Sequence, residues 1–149
     1  MSVKIRPVRS NDFEAWKPLC KGYCDYYGVD IPADVTDTTW NRFLQPDQPV
    51  HALVAEQSNG ALAGMVHFLT HDSTWSKDKV CYLEDLFVSA EARRGGVGEL
   101  LIKAVVEEAT LRGWNGVYWL TRWDNYKGRS LYDRVAGPPE FLRYSIETD

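Results

Sequence analysis

The segment from Arg93 to Gly98 combines two adjacent arginines with three glycines. Glycine lets a backbone turn tightly and approach a ligand closely. Apolar side chains follow at helical spacing from Val97 onward, so the segment is predicted to open a helix. The first N–H groups of a helix have no acceptor within it and, with the helix dipole, attract anions. The pattern therefore predicts a phosphate site, to which Arg93 and Arg94 add charge-assisted contacts.

Phosphate-binding loops differ in the residues that accompany their glycines. A Walker loop ends in Gly-Lys-Ser/Thr, whereas Gly98 is followed here by Glu99 and a leucine. A Rossmann fingerprint needs a third small residue, where this chain has Leu101, and it normally follows the first strand. The coenzyme A pyrophosphate pattern, Arg/Gln-x-x-Gly-x-Gly/Ala, fits Arg93 to Gly98 without a mismatch. From these residues alone, a glycine-rich turn without a ligand remains the alternative.

Two further side chains are suited to proton transfer. Glu84 lies in the apolar stretch from Val80 to Val88, where a carboxylate is costly unless it is solvated, paired or used in chemistry. Strict alternation along a strand places Asp85 on the opposite side, which favours a structural role for Asp85. Tyr132 carries a phenol that can donate a proton. Solvent exposure remains the alternative for Glu84, and core packing beside Leu131 remains the alternative for Tyr132.

The three cysteines and three histidines form no recognisable metal or nucleophile motif. Cys20 and Cys24 are four residues apart in a predicted helix, which is a spacing for packing on one face. An odd, sparse cysteine count does not indicate a disulfide framework, and a zinc site needs more ligands nearby. We therefore expect no metal, and we expect structural or surface roles for His51, His67 and His71.

The elements that position these residues are predicted from periodicity and turn signals. The clearest helix has an apolar repeat from Val97 to Val105, and Ser58 to Gly60 separates two stretches that read as a hairpin. Because the hairpin is followed by strand–helix–strand connections, the class is α/β (α+β) with a mixed sheet. Strands are predicted at 3–8, 50–56, 61–69, 80–88, 117–121 and 141–146, helices at 13–27, 37–44, 97–112 and 127–135, and a polar loop at 73–79.

Length and charge restrict the class of protein. A chain of 149 residues suits one domain, taken as residues 1–149. The net charge of −4 argues against a nucleic-acid partner, and it is compatible with either simple solubility or a cationic partner. No apolar run approaches the roughly 20 residues that span a bilayer, and the N-terminus has no signal-peptide pattern. We therefore expect a cytoplasmic protein with no membrane partner.

Three segments, in this order and spacing, resemble the GNAT superfamily of N-acetyltransferases. They are Tyr82 to Val88, Arg93 to Gly98, and Asn125 to Tyr132. Within the superfamily the chain resembles most the polyamine and thialysine N-acetyltransferases and a fungal histone/polyamine acetyltransferase group, including the stretches Gly22 to Tyr27 and His67 to Trp75. The resemblance covers nearly the whole chain. It implies one GNAT domain whose mixed central sheet splays at the acetyl-CoA strand, with helices on both faces.

The resemblance also implies acetyl-CoA as co-substrate, no metal, and a role for each matching residue. Tyr132 matches the general acid that protonates the leaving thiolate, and Glu84 lies where relatives hold a residue near the amine. A helix N-cap is the alternative for Asn125. The residues that the resemblance assigns to acetyl-CoA are Leu86, Phe87, Val88, Arg93, Arg94, Gly95, Gly96, Val97, Gly98, Glu99, Asn125 and Gly128.

The expected reaction is direct transfer of acetyl to the primary amine of a small cationic compound, such as a polyamine or a thialysine-like molecule. A protein or histone lysine and a non-catalytic acetyl-CoA sensor are the alternatives. A homodimer is expected because similar proteins self-associate, with Phe141 to Ile146 pairing or exchanging across a two-fold axis. The chain departs from the family pattern at Gly128, where relatives often have Ala or Ser, and at the stretched ending from Gly137 to Phe141.

Overall fold

A computed structural model describes residues 2–148, which form two parts. The first part ends at residue 118 and the second begins at residue 119. The first part contains a five-stranded sheet in which neighbours follow chain order. The first three pairings are antiparallel and the last is parallel, so the sheet is mixed, as predicted. Its strands are β1 (Val3–Pro7), β2 (Val50–Gln57), β3 (Leu62–Ser73), β4 (Ser76–Val88) and β5 (Val117–Tyr118).

Helices α1 (Phe13–Tyr27), α2 (Ala33–Phe43) and α3 (Val97–Arg112) belong to the first part. Helix α4 (Tyr126–Ala136) belongs to the second part. Helix α1 ends at Gly28, where φ is 67°, because glycine reaches the left-handed conformation without a Cβ clash.

The helices cover both faces of the sheet in the first part. On one face, Trp16 of α1 and Trp40 of α2 pack together with ring centroids 4.7 Å apart, over Met65 of β3. On the other face, Leu101 of α3 comes so close to β3 that a Cβ on Gly64 would lie 3.2 Å from it. Full burial of such large apolar side chains stabilises the fold by about 1.5–3 kcal/mol each. The packed helices thus hold the middle strands, including β4, from both sides.

Two boundaries in the first part differ from the sequence prediction. Helix α2 begins at Ala33 rather than Asp37, because Pro32, with φ −57°, directs the chain into the first turn. The segment predicted as a polar loop at 73–79 is paired instead, since Ser73 of β3 lies opposite Ser76 of β4. The hairpin is therefore longer than its polar residues indicate.

The strand predicted from Phe141 to Ile146 is not formed in the second part. Residues 137–148 carry no strand or helix assignment, and the apolar side chains of this stretch are 78–91% exposed. A strand requires a neighbouring segment that completes its hydrogen-bond ladder, and alternating side chains alone do not supply one. The fully exposed apolar residues are Phe141, Leu142, Tyr144 and Ile146.

Candidate active site

A β-bulge lies in the middle of β4. The register pairs His67 with Asp85 but Phe68 with Leu83, so Glu84 is an extra residue on its strand. A bulge interrupts the alternation of side chains and re-aims them.

Asp85 lies on the side of the sheet that α1 covers, because its carboxylate is hydrogen-bonded to His67, which in turn accepts from Trp16 of α1. Glu84, the extra residue, is exposed. Burial raises the pKa of Tyr23 on α1, and the negative charges of Asp85 and Glu84 raise it further, so this phenol lies near both carboxylates. Sequence spacing alone does not place Tyr23 near this pair.

The far half of β4 has no strand on its other edge. β5 pairs with β4 only through Val117 opposite Cys81 and Tyr118 opposite Tyr82. Within residues 2–148, Leu83 to Val88 pairs with β3 alone. An unpaired strand edge offers N–H and C=O groups to an extended ligand. This is the splayed sheet that the resemblance implies.

The end of β4 is fastened to both α1 and the basic loop. The ring of Phe87 packs against α1 so closely that a Cβ on Gly22 would lie 2.5 Å from it. The Nε of Arg93 donates to the carbonyl of Val88 at 3.2 Å, and its guanidinium lies 5.6 Å from the centroid of the Phe87 ring. Arg93 thus holds the loop to the strand, while the neighbouring Arg94 is exposed.

The loop from Arg93 to Gly98 has the geometry that an anion site requires. Arg94 is the one non-glycine residue of the described chain with a left-handed φ, 73°, a conformation that costs about 1–3 kcal/mol. The first helical hydrogen bond runs from the Leu100 N–H to the Gly96 carbonyl at 3.1 Å, so the preceding N–H groups have no acceptor in the helix. A Cβ on Gly96 would meet nothing within 4 Å, so the space over the loop is open. These residues fit a pyrophosphate group.

In the second part, Asn125 is the N-cap of α4. Its Oδ1 accepts the Gly128 N–H at 3.2 Å, and its Nδ2 donates to Thr121 Oγ1 at 2.9 Å. A Cβ on Gly128 would collide with the Asn125 amide, so a larger residue at this position would displace the cap. The N-cap alternative for Asn125 is therefore present in the structure.

Tyr132 lies about two turns after Asn125 on the same helix and is half-buried. Its ring contacts Trp119 edge-to-face, with centroids 5.6 Å apart and planes at 71°. Such a contact restricts the orientation of the ring.

The three cysteines have surroundings that do not favour nucleophilic chemistry. All three cysteines are free, and burial raises the pKa of the Cys20 and Cys24 thiols and that of Cys81 to about 12. A thiol with a raised pKa is a poor nucleophile. Across residues 2–148, no three His, Cys, Asp or Glu side chains are grouped to hold a metal, and no helix has the length and apolarity to cross a bilayer.

Comparison with known proteins adds the decisive observation. A family model described as Acetyltransferase (GNAT) family matches residues 16–137. This chain belongs to the GNAT acetyltransferase family. It is an acetyl-CoA-dependent N-acetyltransferase, and the loop of Arg93 to Gly98 and the splayed edge of β4 lie within the matched region.

Relatives of established name share most of the chain. It is 34% identical over 143 residues to D-amino-acid N-acetyltransferase HPA3 of Saccharomyces cerevisiae, covering 95% of this chain and 89% of the relative. It is 28% identical over 122 residues to thialysine N-epsilon-acetyltransferase of Mus musculus, covering 75% and 70%. The fold matches AAC(6')-Iy, solved with a CoA bisubstrate analog, with a TM-score of 0.85 at 22% identity over the full length of both chains.

Proposed function

We propose that this GNAT enzyme acetylates the primary amine of a small cationic acceptor. The observation that carries the proposal is the bulge in β4, where the extra residue Glu84 is exposed and the next residue, Asp85, is hydrogen-bonded to His67. Two adjacent carboxylates at the unpaired half of the acetyl-CoA strand are suited to bind an ammonium group beside the thioester. The net charge of −4 favours approach of a cation in the same sense.

The proposed acceptors are polyamines and thialysine-like amino acids. The similarity to the mouse thialysine enzyme supports an amine on a cationic side chain. The similarity to yeast HPA3 supports a second candidate, the α-amine of a D-amino acid. These candidates differ in whether the acceptor carries a second cation, so matched amines distinguish them.

The proposed chemistry assigns one task to each group. Acetyl-CoA supplies an acetyl group activated as a thioester. The backbone of Leu86 to Val88 binds the pantetheine arm, and Arg94 to Glu99 bind the pyrophosphate. Asn125 and Gly128 add contacts to the lower pantetheine.

Proton transfer is proposed to involve two side chains. Glu84 draws the proton from the amine through water, and Tyr132 gives a proton to the thiolate as it leaves. Direct attack by the amine is favoured over an acetyl-cysteine route, because burial raises the pKa of all three thiols.

A thiol-release assay tests this function with acetyl-CoA and a panel of spermidine, thialysine, ornithine, D-alanine, D-lysine and a histone-tail peptide. We expect the highest kcat/KM with a small acceptor that carries a second cationic group, such as thialysine or spermidine. Preference for D-alanine together with D-lysine would support the α-amine instead. Preference for the peptide would favour a protein lysine, and acetyl-CoA binding without turnover on any amine would indicate a sensor.

A homodimer is part of the proposal. The exposed apolar side chains between Phe141 and Ile146 support it, because a second copy would remove them from water by pairing or exchanging this segment. Light scattering at micromolar concentration should report a dimer, and removal of residues 141–149 should yield a monomer. A monomeric full-length chain would contradict the proposal.

A cytoplasmic location is proposed on separate grounds. The three thiols are free, as is usual in a reducing compartment. Fractionation of cells that express the protein should place it with soluble cytoplasmic markers, and recovery from a secreted or membrane fraction would contradict the assignment.

A further inference from the structure

A hydrogen-bonded chain of three side chains joins α1 to the bulge of β4. Trp16 Nε1 lies 3.0 Å from His67 Nε2, and His67 Nδ1 lies 2.8 Å from Asp85 Oδ2. Trp16 is 1% exposed and His67 is 6% exposed, whereas the Asp85 side chain retains 24% of its exposure. The chain therefore runs from the core to a carboxylate that is partly open.

The direction of the hydrogen bonds follows from the indole. An indole N–H is a donor only, so His67 Nε2 must accept from Trp16. The hydrogen of the neutral imidazole is then on Nδ1, which donates to Asp85. Trp16 thus fixes the tautomer of His67, and His67 acts as a fixed donor to the carboxylate.

Tyr23 on α1 lies near the same carboxylate, since burial raises the pKa of its phenol and the charge of Asp85 raises it further, so the phenol is neutral. An ionised carboxylate has about four acceptor positions, and neutral neighbours such as His67 and Tyr23 leave its charge unneutralised. A purely structural acceptor for a neutral histidine does not need this charge. The remaining positions of Asp85 are suited to an ammonium group.

We infer that His67 and Trp16 are positioning residues, which set the affinity for the amine acceptor by holding the Asp85 carboxylate in one orientation. The inference rests on the proposed function, because it assigns Asp85 with Glu84 to the amine side of the site. It is separate from the binding of acetyl-CoA, since no residue of the loop from Arg93 to Gly98 takes part in these hydrogen bonds.

Two substitutions at His67 each remove one of its two hydrogen bonds and keep the other. His67→Asn places an amide nitrogen near the position of Nδ1, so the bond to Asp85 is kept and the bond from Trp16 is lost. His67→Gln places an amide oxygen near the position of Nε2, so the bond from Trp16 is kept and the bond to Asp85 is lost. Both variants are expected to lower the melting temperature, which reports the structural part of the role.

Steady-state kinetics with the best acceptor of the panel tests the inference. His67→Gln should raise the KM for the amine by about tenfold, the effect of one lost charge-assisted hydrogen bond, with the acetyl-CoA KM within about twofold of wild type. His67→Asn should keep the amine KM within about threefold of wild type. Asp85→Asn should raise it at least as much as His67→Gln, and the double variant should show no further rise. His71→Gln, on the same strand, is the matched control with wild-type KM values.

Equal amine KM values for wild type, His67→Asn and His67→Gln would overturn the inference, as would a parallel rise in the acetyl-CoA KM. A second measurement uses the wild-type protein alone. Nitrogen NMR of His67 should show the Nδ1–H form and should shift as thialysine is titrated in the presence of CoA. An unshifted His67 at saturating thialysine, with saturation confirmed by calorimetry, would also overturn it.

A different result would refute the proposed function, namely that the wild-type protein releases no thiol with any amine of the panel. The NMR titration still decides the inference in that case, because binding needs no turnover. If no amine of the panel binds in the calorimeter, both the proposed function and the inference are refuted.

Discussion

At the scale of single residues, Tyr132 carries the most specific chemical expectation. Its ring is held by Trp119, so Tyr132→Phe removes the hydroxyl and leaves the ring contact. General acid catalysis is typically worth roughly 10²- to 10⁴-fold, so the single-turnover rate should fall by at least about 10²-fold, or about 3 kcal/mol of barrier. Acetyl-CoA affinity should change little, because the phenol acts as the thiolate forms. Tyr144→Phe, in the exposed segment, serves as the matched control.

Rapid-quench measurement of acetyl transfer gives the chemical step directly, so slow product release cannot hide the effect. A folded Tyr132→Phe enzyme with a wild-type chemical step would show that another group protonates the thiolate. Tyr132 would then be a packing residue beside Trp119.

Two substitutions of Gly96 that differ in charge but hardly in shape test the pyrophosphate assignment. Asp and Asn are similar in size, both tolerate a left-handed φ better than most residues, and both are good N-caps. Gly96 has φ 76° at the N-cap of α3, with open space beside it, so both variants should fold. Gly96→Asp should weaken acetyl-CoA binding by at least about tenfold more than Gly96→Asn, because a carboxylate repels the phosphates. Calorimetry measures both affinities, and equal values would refute an anion at this loop.

At the scale of elements, the start of α4 depends on a pair of residues that must be considered together. Removal of the cap by Asn125→Ala should cost about 1 kcal/mol of unfolding free energy. Gly128→Ala gains about 1 kcal/mol of helix propensity but displaces the Asn125 amide, so its net effect should be near zero. In the Asn125→Ala background the same change should stabilise by about 1 kcal/mol, because no amide remains to collide with it.

Urea unfolding of the four proteins in this cycle gives the coupling energy. Additive effects would mean that a Cβ at position 128 does not disturb the Asn125 cap. The choice of glycine at this position would then have no structural explanation.

The elements also show what a sequence can predict. The end of α1 at Gly28 and the start of α3 near Gly96 were predictable, because a positive φ demands glycine at a particular position. The extra residue of the bulge at Glu84 was not, because it depends on the register against β3, and nothing in Tyr82 to Val88 marks it. The strand predicted at 141–146 failed for a related reason, since pairing is a property of two segments.

The candidate site likewise contains some features that the sequence predicts and others that it does not. The loop of Arg93 to Gly98 was predictable, because its glycines and arginines are contiguous and precede a helix. The contacts of His67 were not, because Trp16 lies 51 positions and Asp85 lies 18 positions away along the chain. The sequence predicts a structural or surface role for His67, and the buried position of this residue agrees with the first of these.

At the scale of the molecule, one ionic network joins the first strand to the rest of the sheet. Arg6 is 6% exposed and binds Asp12 through two hydrogen bonds, at 2.8 and 3.0 Å, and Glu56 of β2 at 2.8 Å. Hydrogen bonding from Arg6 lowers the pKa of both carboxyls. Within the network only Arg6 and Asp12 form a buried pair, and removal of one partner from such a pair typically costs about 3–5 kcal/mol, because a charge is left without compensation.

His51 gives the whole molecule a second response to acid, at a higher pH than this network. It is half-buried, with its ring stacked on Phe68 at 5.3 Å, and burial, followed by the charge of Arg112, lowers its pKa below 6.5. The unfolded chain therefore binds a proton at a higher pH than the folded chain does. The stability that neutral His51 contributes is complete above about pH 6.5 and is lost as the pH falls toward the folded pKa. The pKa of Asp12 is lowered too, and the stability that ionised Asp12 contributes is lost only as the pH falls below about 4.

We therefore expect the melting temperature to decline in two steps as the pH is lowered from 8 to 3. His51→Phe keeps a ring against Phe68 but removes the titrating group, so it should abolish the first step and keep the second. His67 and His71 are present in both proteins, so the comparison isolates His51. Differential scanning calorimetry at half-unit intervals resolves the steps. A decline between pH 6.5 and 5 that is equal in wild type and variant would show that another group titrates in this range and that the His51 stack does not sense pH.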